Sequence, residues 1–329
     1  MTKKEDYLTA LRHGVPESIP YYGAPVRCNI GFMDTFEKGP MGGGYDAYGV
    51  RWEFSNGTAS PATDKFALTD PPNWKNQITF PDLDAINWKE KAEKEKEKKH
   101  FDPETMVMDY GMGNGPFERM LAWCGYEGLI DALLEYPDEC HEIIDKWVEE
   151  RKKFIAYVCE AYNPDCITIF DDVAFERGLF VTKDMYVEFF QPAHTEIVKC
   201  IHNHGVIAIN HCCGKAQDLL ENFIEEGYDA WTSCQPMNDI AGILEKYHDT
   251  FTIIGGYDSN GKPSIEEATE EERMAEVHRA IDEYAKWGSF ILGNMIFMTY
   301  TEEERQARIK RGAEEIFRYG KDWYARNTK

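Results

Sequence analysis

From residue 105 onward the chain alternates short apolar runs, each bounded by Gly or Asp, with longer stretches whose apolar residues recur near every 3.6 positions. The apolar runs are Thr105–Tyr110, Cys166–Phe170, Val206–Asn210, Ala230–Ser233, Phe251–Ile254 and Ser289–Leu292. Between them lie helical patterns over 119–135, 137–162, 183–204, 215–227, 238–247 and 266–287. Strands that are apolar throughout and separated by helices predict a parallel sheet covered on its faces. Six such strands, plus two expected in the N-terminal third, predict an α/β fold of the (β/α)8 TIM-barrel type. A doubly wound open sheet is the runner-up. No Gly-x-Gly-x-x-Gly follows an early strand, which counts against a dinucleotide-binding version of it. The run Gly111-Met112-Gly113-Asn114-Gly115 lacks that spacing and predicts a close backbone turn at a barrel rim.

The N-terminal third is less regular. Residues 5–13 predict a short amphipathic helix, ended by Gly14 and Pro16. Ser18–Gly23 reads as a first strand. Residues 27–80 are rich in Gly, Pro, Asp and aromatic residues, and Gly39-Pro40-Met41-Gly42-Gly43-Gly44 is no element interior. This stretch predicts an irregular excursion over a barrel mouth, with a hairpin near Asp46–Glu53. No linker or low-complexity segment divides the chain. Residues 1–329 therefore read as one barrel domain, with the helix and the loop/hairpin excursion inside residues 1–100.

Length and composition narrow the function. A chain of 329 residues can bury a large core without disulfides. A net charge of −23 argues against nucleic-acid and anionic-membrane partners, which need a basic stripe. The mixed-sign stretch 89–99 predicts an exposed helix with i,i+4 pairs. No run reaches the roughly 20 apolar residues of a membrane span, and the start lacks an apolar signal core. The nine cysteines are then expected to be thiols of a cytoplasmic protein, most of them in the core.

In a parallel barrel the C-terminal strand ends carry the chemistry. One apolar run leads into His211-Cys212-Cys213-Gly214. Side chains two apart share a strand face, so His211 and Cys213 point together and Cys212 points away. An imidazole and a thiolate held together are half of a tetrahedral zinc site. Cys234, ending the next strand, is a candidate third ligand. Asp171 and Asp172 end another strand. Adjacent carboxylates face opposite sides, so one of them is expected to serve as a catalytic acid or base, a substrate contact or a partner of His211. Glu118 at a further rim, with Tyr22, Tyr257, Asp258 and Asn294 at other strand ends, are candidate substrate contacts. Tyr21, Phe32, Tyr48, Trp52, Phe297 and Tyr300 are aromatic candidates for stacking a planar substrate.

These residues, taken in order, resemble the uroporphyrinogen decarboxylase superfamily on its cobalamin-dependent methyltransferase branch. The likeness runs from Tyr7-Leu8-Thr9-Ala10-Leu11-Arg12 and Asp46-Ala47-Tyr48-Gly49-Val50-Arg51-Trp52 to Phe170-Asp171-Asp172-Val173-Ala174. It continues through Tyr186–Pro192 and His211-Cys212-Cys213-Gly214 to Ile254-Gly255-Gly256-Tyr257-Asp258. The resemblance implies a (β/α)8 barrel and zinc held by His-x-Cys and a later Cys. His211 and Cys213 fill the first two places. No cysteine follows Cys234, so Cys234 or a carboxylate substitutes, or no zinc binds. The Arg-rich motif of the decarboxylase is missing around Tyr21–Cys28, which holds Arg27 alone.

The resemblance therefore implies a methyltransferase, of the O-demethylase type, acting between a small donor and a corrinoid protein, with zinc or an acid activating the leaving heteroatom. The aromatic-rich excursion favours a methoxylated aromatic donor. No Asp-x-His-x-x-Gly pattern occurs, so the corrinoid is expected on a partner; homodimerisation is left open. The alternatives are a decarboxylase-like lyase and a non-catalytic binding barrel.

Overall fold

The computed structural model describes residues 1–32, 34–40, 42–55, 58–299 and 301–327. The N-terminal third contains α1 (Lys3–Leu11), β1 (Tyr21–Tyr22), β2 (Arg27–Ile30), α2 (Thr35–Lys38), β3 (Gly44–Tyr45), β4 (Arg51–Ser55), β5 (Thr58–Pro61) and α3 (Trp88–Lys98). Then follow β6 (Val107–Met112), α4 (Pro116–Glu135), α5 (Pro137–Tyr162), β7 (Cys166–Phe170) and a hairpin of β8 (Ala174–Phe175) and β9 (Gly178–Leu179). The short α6 (Lys183–Met185) runs through a π-type turn at Tyr186–Phe190 into α7 (Gln191–Asn203). The remainder is β10 (Ile207–His211), α8 (Leu220–Glu225), β11 (Ala230–Cys234), α9 (Ile240–Tyr247), β12 (Thr252–Gly256), α10 (Glu270–Tyr284), β13 (Phe290–Gly293), α11 (Glu302–Tyr319) and α12 (Trp323–Asn327).

Eight strands pair in parallel in the order β1-β13-β12-β11-β10-β7-β6-β2. With helices between successive barrel strands from β2 onward, this is the nearly closed (β/α)8 barrel that the apolar rhythm predicted. All six predicted strands after residue 105 are present, within a few residues of their expected ends. The first strand shrinks to Tyr21–Tyr22, and β2 occupies Arg27–Ile30, where irregular chain was expected. The hairpin near Asp46–Glu53 is part of a three-stranded antiparallel sheet in the order β3-β4-β5. The helix over 89–99 carries the expected pairs, Lys91–Glu95 and Lys94–Glu90. Helix α11, to which the periodicity gave no counterpart, closes the C-terminal end.

The barrel interior is layered. At its floor α1 inserts Tyr7, Ala10 and Leu11 against Val107, Cys166, Ile209, Ala230, Ile254 and Ile291. Above this apolar plug the inner face turns polar. Arg27 of β2 pairs with Asp109 of β6, and the Thr168 hydroxyl of β7 donates to the same carboxylate at 2.9 Å. The Arg27 guanidinium lies 4.0 Å from the Tyr22 ring centre. The upper layer, at the C-terminal strand ends, is the mouth. No helix among the described residues is long and apolar enough to cross a membrane.

Candidate metal centre

Strand β10 delivers His211 at its last position, one register step from Phe170 on β7 and Thr232 on β11. The chain stays extended for two more residues, so Cys213 follows His211 onto the mouth side. The thiol of Cys213 lies 3.4 Å from His211 Nε2. Cys212 points the other way and is buried, as the alternation predicted. Gly214 then turns with φ of 85°, and a Cβ there would lie 2.7 Å from the backbone of Phe175 in the β8–β9 hairpin. The turn needs a glycine both for the left-handed backbone and for that close approach.

The two adjacent carboxylates after β7 divide as expected. Asp172 is the one that faces the mouth. Its Oδ1 accepts the Cys213 backbone N–H at 2.7 Å and lies 4.0 Å from His211 Nε2. One ligand atom from each of Asp172, His211 and Cys213 falls within 4.8 Å of the others. Asp171 stands outside this group. Its carboxylate accepts the backbone N–H groups of Phe117 at 3.1 Å and Glu118 at 2.7 Å, and contacts His194 Nε2 at 2.9 Å. It therefore caps the first turn of α4, whose N–H groups lack helical partners. Gly115 makes this possible: a Cβ there would lie 2.4 Å from the Asp171 side chain.

The capped helix presents Glu118 to the mouth. Its Oε2 is buried with no hydrogen-bond partner among the described residues. Burial raises its carboxyl well above the usual range; Lys38 opposes this, and the charges of Asp172 and Asp171 add to it. Glu118 thus holds its proton more tightly than an ordinary carboxyl does, beside the three-residue group. Burial lowers His211 to about 4, so its ring is neutral and one ring nitrogen carries a free lone pair. Burial, with the charge of Asp172, pushes the Cys213 thiol up. Without a cation this sulfur stays protonated.

The other candidates fall into two sets. Asn294 follows β13 with φ of 57°, which Asn tolerates, and its Nδ2 donates to Thr232 Oγ1 at 3.1 Å. Tyr22 pairs in register with Gly293 and sits on the inner wall beside Arg27. Both stay with the barrel lumen. Cys234 does not join the metal-binding group; it is buried within the large apolar cluster, and burial alone lifts its thiol. Tyr257 is also apart, its ring edge-on to Phe297 at 5.7 Å and its hydroxyl toward the Pro263 carbonyl. Asp258 turns onto its own loop, accepting the Asn260 N–H at 3.3 Å. Tyr48 and Trp52 are buried in a polar network behind α4, and Tyr21 packs edge-on to Phe317 at 6.0 Å. Tyr300 lies outside the described residues.

Two site features go beyond the sequence pattern, which offered Phe32 only as one of several candidate stacking aromatics. Phe32 and Phe170 meet with ring centres 4.1 Å apart, and Phe170 lies 4.3 Å from the His211 ring. Gly111 makes room for them, since a Cβ there would lie 2.9 Å from Phe32 and 3.1 Å from Phe170. The second is Lys38, whose stem crosses Gly113. The glycines of the 111–115 run were the one legible sign that chain from elsewhere packs closely there.

The donor set fits a divalent cation. Tetrahedral zinc with N, O and S ligands at about 2.0–2.3 Å has ligand–ligand edges of roughly 3.3–3.8 Å. The 3.4 and 4.0 Å separations from His211 Nε2 are close to that. A neutral imidazole, a carboxylate and a thiol form a mixed N/O/S set that leaves room for a fourth ligand from a substrate.

A family model described as uroporphyrinogen decarboxylase matches residues 84–299. Among solved structures, a methyltransferase from Methanosarcina mazei superposes with a TM-score of 0.73 at 14% identity, covering 96% of this chain and 99% of that one. An Old Yellow Enzyme from Pichia sp. AKU4542 gives a TM-score of 0.37 at 11% identity, over 70% of this chain and 67% of that one. No curated protein sequence matches the chain.

Proposed function

Because the chain belongs to the uroporphyrinogen decarboxylase family, we propose that it is a methyltransferase of that family, moving a methyl group from a small donor to a corrinoid carried by a separate protein. The observation that carries this reading is the Asp172–His211–Cys213 group at the barrel mouth. By the resemblance, His211 and Cys213 fill two of the places with which the methyltransferase branch holds zinc, and Asp172 is the carboxylate that takes the role of the missing later cysteine in this reading. A decarboxylase acting on a polyanion has no evident use for a thiol and an imidazole aimed at one point, nor for a mouth rich in acids.

Bound zinc would supply Lewis acidity at the donor heteroatom and favour the Cys213 thiolate. The chain's own residues do the rest. Glu118 holds a proton beside the group and is positioned to give it to the leaving oxygen of a methyl ether. The C–O bond breaks, the methyl group passes to the cobalt(I) acceptor, and the oxygen leaves as an alcohol or phenol. Thr232 holds Asn294 in place on the facing wall, and Tyr22 closes the lumen below. The Phe32–Phe170 wall supports a flat, methoxylated aromatic donor. Phe175, in the β8–β9 hairpin after β7, and Ile296 and Met298, in the chain after β13, are 41%, 54% and 59% exposed. Large apolar side chains left exposed beside a mouth suit a docked partner.

The test is metal analysis followed by a donor screen. About one zinc per chain is expected, lost in His211→Ala and in Cys213→Ala. With a reduced corrinoid protein, a methylated phenol should generate methylcobalt absorbance. A zinc-loaded protein that yields none with any methyl ether, amine or thioether would sink the reading.

A further inference from the structure

We propose that Lys38 anchors an anionic substituent of the substrate, a carboxylate or a sulfonate, and so selects which donors enter; this deepens the methyltransferase reading and rests on it. Lys38 is the last residue of α2 and is half-buried. Its Cε lies 3.1 Å from where a Cβ of Gly113 would stand. Gly113 continues the inward row of Asp109 and Gly111, so the lysine stem crosses the rim toward the mouth. The ammonium stands 4.5 Å from the Phe32 ring centre. Phe32, Phe170 and His211 follow at ring separations of 4.1 and 4.3 Å. One aromatic wall thus joins a cation at one end to a candidate metal ligand at the other. The charge of Lys38 acts on both Glu118 and His211.

This cation forms no ion pair among the described residues, in a chain with 59 acidic and 36 basic residues. It is also held in place rather than trailing in solvent. Its neighbour Glu37 is buried and paired with both Arg119 and Arg151, and Asn114 Nδ2 donates to the Glu37 carbonyl at 3.0 Å. Much of the ordering cost is therefore met before a ligand arrives. A compact ammonium at the end of an aromatic wall suits a flat ligand whose anionic group and methoxy group lie at opposite ends.

Calorimetric titration of the zinc-loaded protein with 4-methoxybenzoate, 4-methoxybenzenesulfonate and anisole tests this. The anions should bind about tenfold or more tightly than anisole, the scale of one charge-assisted hydrogen bond. Lys38→Met should bring them to the level of anisole and leave anisole itself unchanged, which also reports that the variant is folded. Lys38→Arg should keep most of the preference. Tighter benzoate assigns carboxylate donors, and tighter sulfonate assigns sulfonates. Equal binding of all three ligands overturns the proposal. So does a preference that survives Lys38→Met, or one that falls instead in Lys98→Met, in the neighbouring cleft that Phe32 also lines. Methylcobalt formation is scored separately. Lys38-dependent anion binding without methyl transfer from any donor keeps the anchor and removes the methyltransferase reading.

Discussion

Two groups of acids lie on either side of the N-terminus of α4, one buried and one half-buried, and they are built on opposite principles. Behind the helix, Arg119 bonds Asp46 at 2.8 Å and Glu37 at 3.2 Å, Arg151 pairs with Glu37, and Tyr48 donates to Glu150 at 2.9 Å. Asp46 also accepts from the backbone N–H groups of Tyr48 and Val50 and from the Trp52 indole. Burial disfavours the Glu37 carboxylate, but the two guanidiniums outweigh that and hold it below its ordinary range. In front of the helix, Asp172, Glu118, His211 and Cys213 have no cation bonded to them among the described residues; the charge of Lys38 acts on Glu118 and His211 without an ion pair. The first group pairs two of its three acids, Glu37 and Asp46, with its two arginines, while burial raises the carboxyl of the third, Glu150, and it locks the excursion onto the barrel. The second is left short of positive charge at the place where a ligand enters. Even half-buried, a carboxylate, an imidazole and a thiol gathered without a compensating cation suit a group that takes its cation from outside.

That contrast breaks first at the metal. Cys213→Ala should abolish stoichiometric zinc uptake, and Asp172→Asn should weaken it markedly, as read by competition with a chromophoric chelator. Wild-type protein should also melt at a higher temperature with zinc, because the ligand binds the folded state. Unchanged zinc uptake in both variants would place the cation elsewhere. The compensated group should answer differently. Arg119→Met leaves Glu37 and Asp46 buried against one fewer guanidinium, at an expected cost of about 3–5 kcal/mol. Urea unfolding reads that loss, while zinc uptake should persist in the folded fraction. A loss near zero would mean that water replaces the arginine, and the two regions would not differ in kind.

Those two regions were not equally visible in the sequence. The barrel was legible because its outer strands are apolar and its helices amphipathic, and a period of 2 put His211 and Cys213 on one side. Strand β2 was hidden because its inward residues are Arg27 and Asn29, so the polar layer of the lumen inverts the usual pattern. The choice between Asp171 and Asp172 was beyond any local rule. It is decided by the first turn of α4 and by His194, both far away in sequence, which claim Asp171 and leave Asp172 to the mouth. Phe32 was legible only as one stacking candidate among several, and Lys38, in the same irregular stretch, gets its place only from contacts across the rim. The balanced network was equally obscure, since its acids and arginines come from α2, the β3–β4 turn, α4 and α5.

A third buried acid sharpens the comparison on a smaller scale. Glu226 accepts from the Tyr186 hydroxyl at 2.7 Å, while its second oxygen is buried without a partner. Burial raises its carboxyl to about 8, with His194 and Tyr186 opposing and the charges of Asp171 and Glu225 adding. A carboxyl raised in the folded state binds a proton more tightly than in the unfolded chain. Its contribution to stability is full below about 4.5 and is lost as the pH rises toward about 8. Glu226→Gln should therefore match the wild type near pH 5 and exceed it above pH 8, by on the order of 2 kcal/mol. Melting curves across that range give the sign directly. Equal pH slopes in the two proteins would show that Glu226 stays charged and is compensated, as Glu37 is.

The smallest expected effect is the most discriminating for the metal. Cys234 ends β11, after a register shift between Thr232 and Cys234, and pairs with Gly255. The strands approach so closely there that a Cβ on Gly255 would lie 2.2 Å from the Cys234 carbonyl oxygen. Its side chain is 1% exposed, in the apolar cluster that also holds Ile240 and Leu244. Such a thiol behaves as a small hydrophobe. Cys234→Ala should cost about 1 kcal/mol through the space it leaves and change neither zinc stoichiometry nor affinity. Loss of zinc in this variant, with Asp172→Asn silent, would give the site two thiolates and one imidazole instead. Asp172 would then hold only the Cys213 backbone, and the unpaired acids at the mouth would need another explanation than a metal.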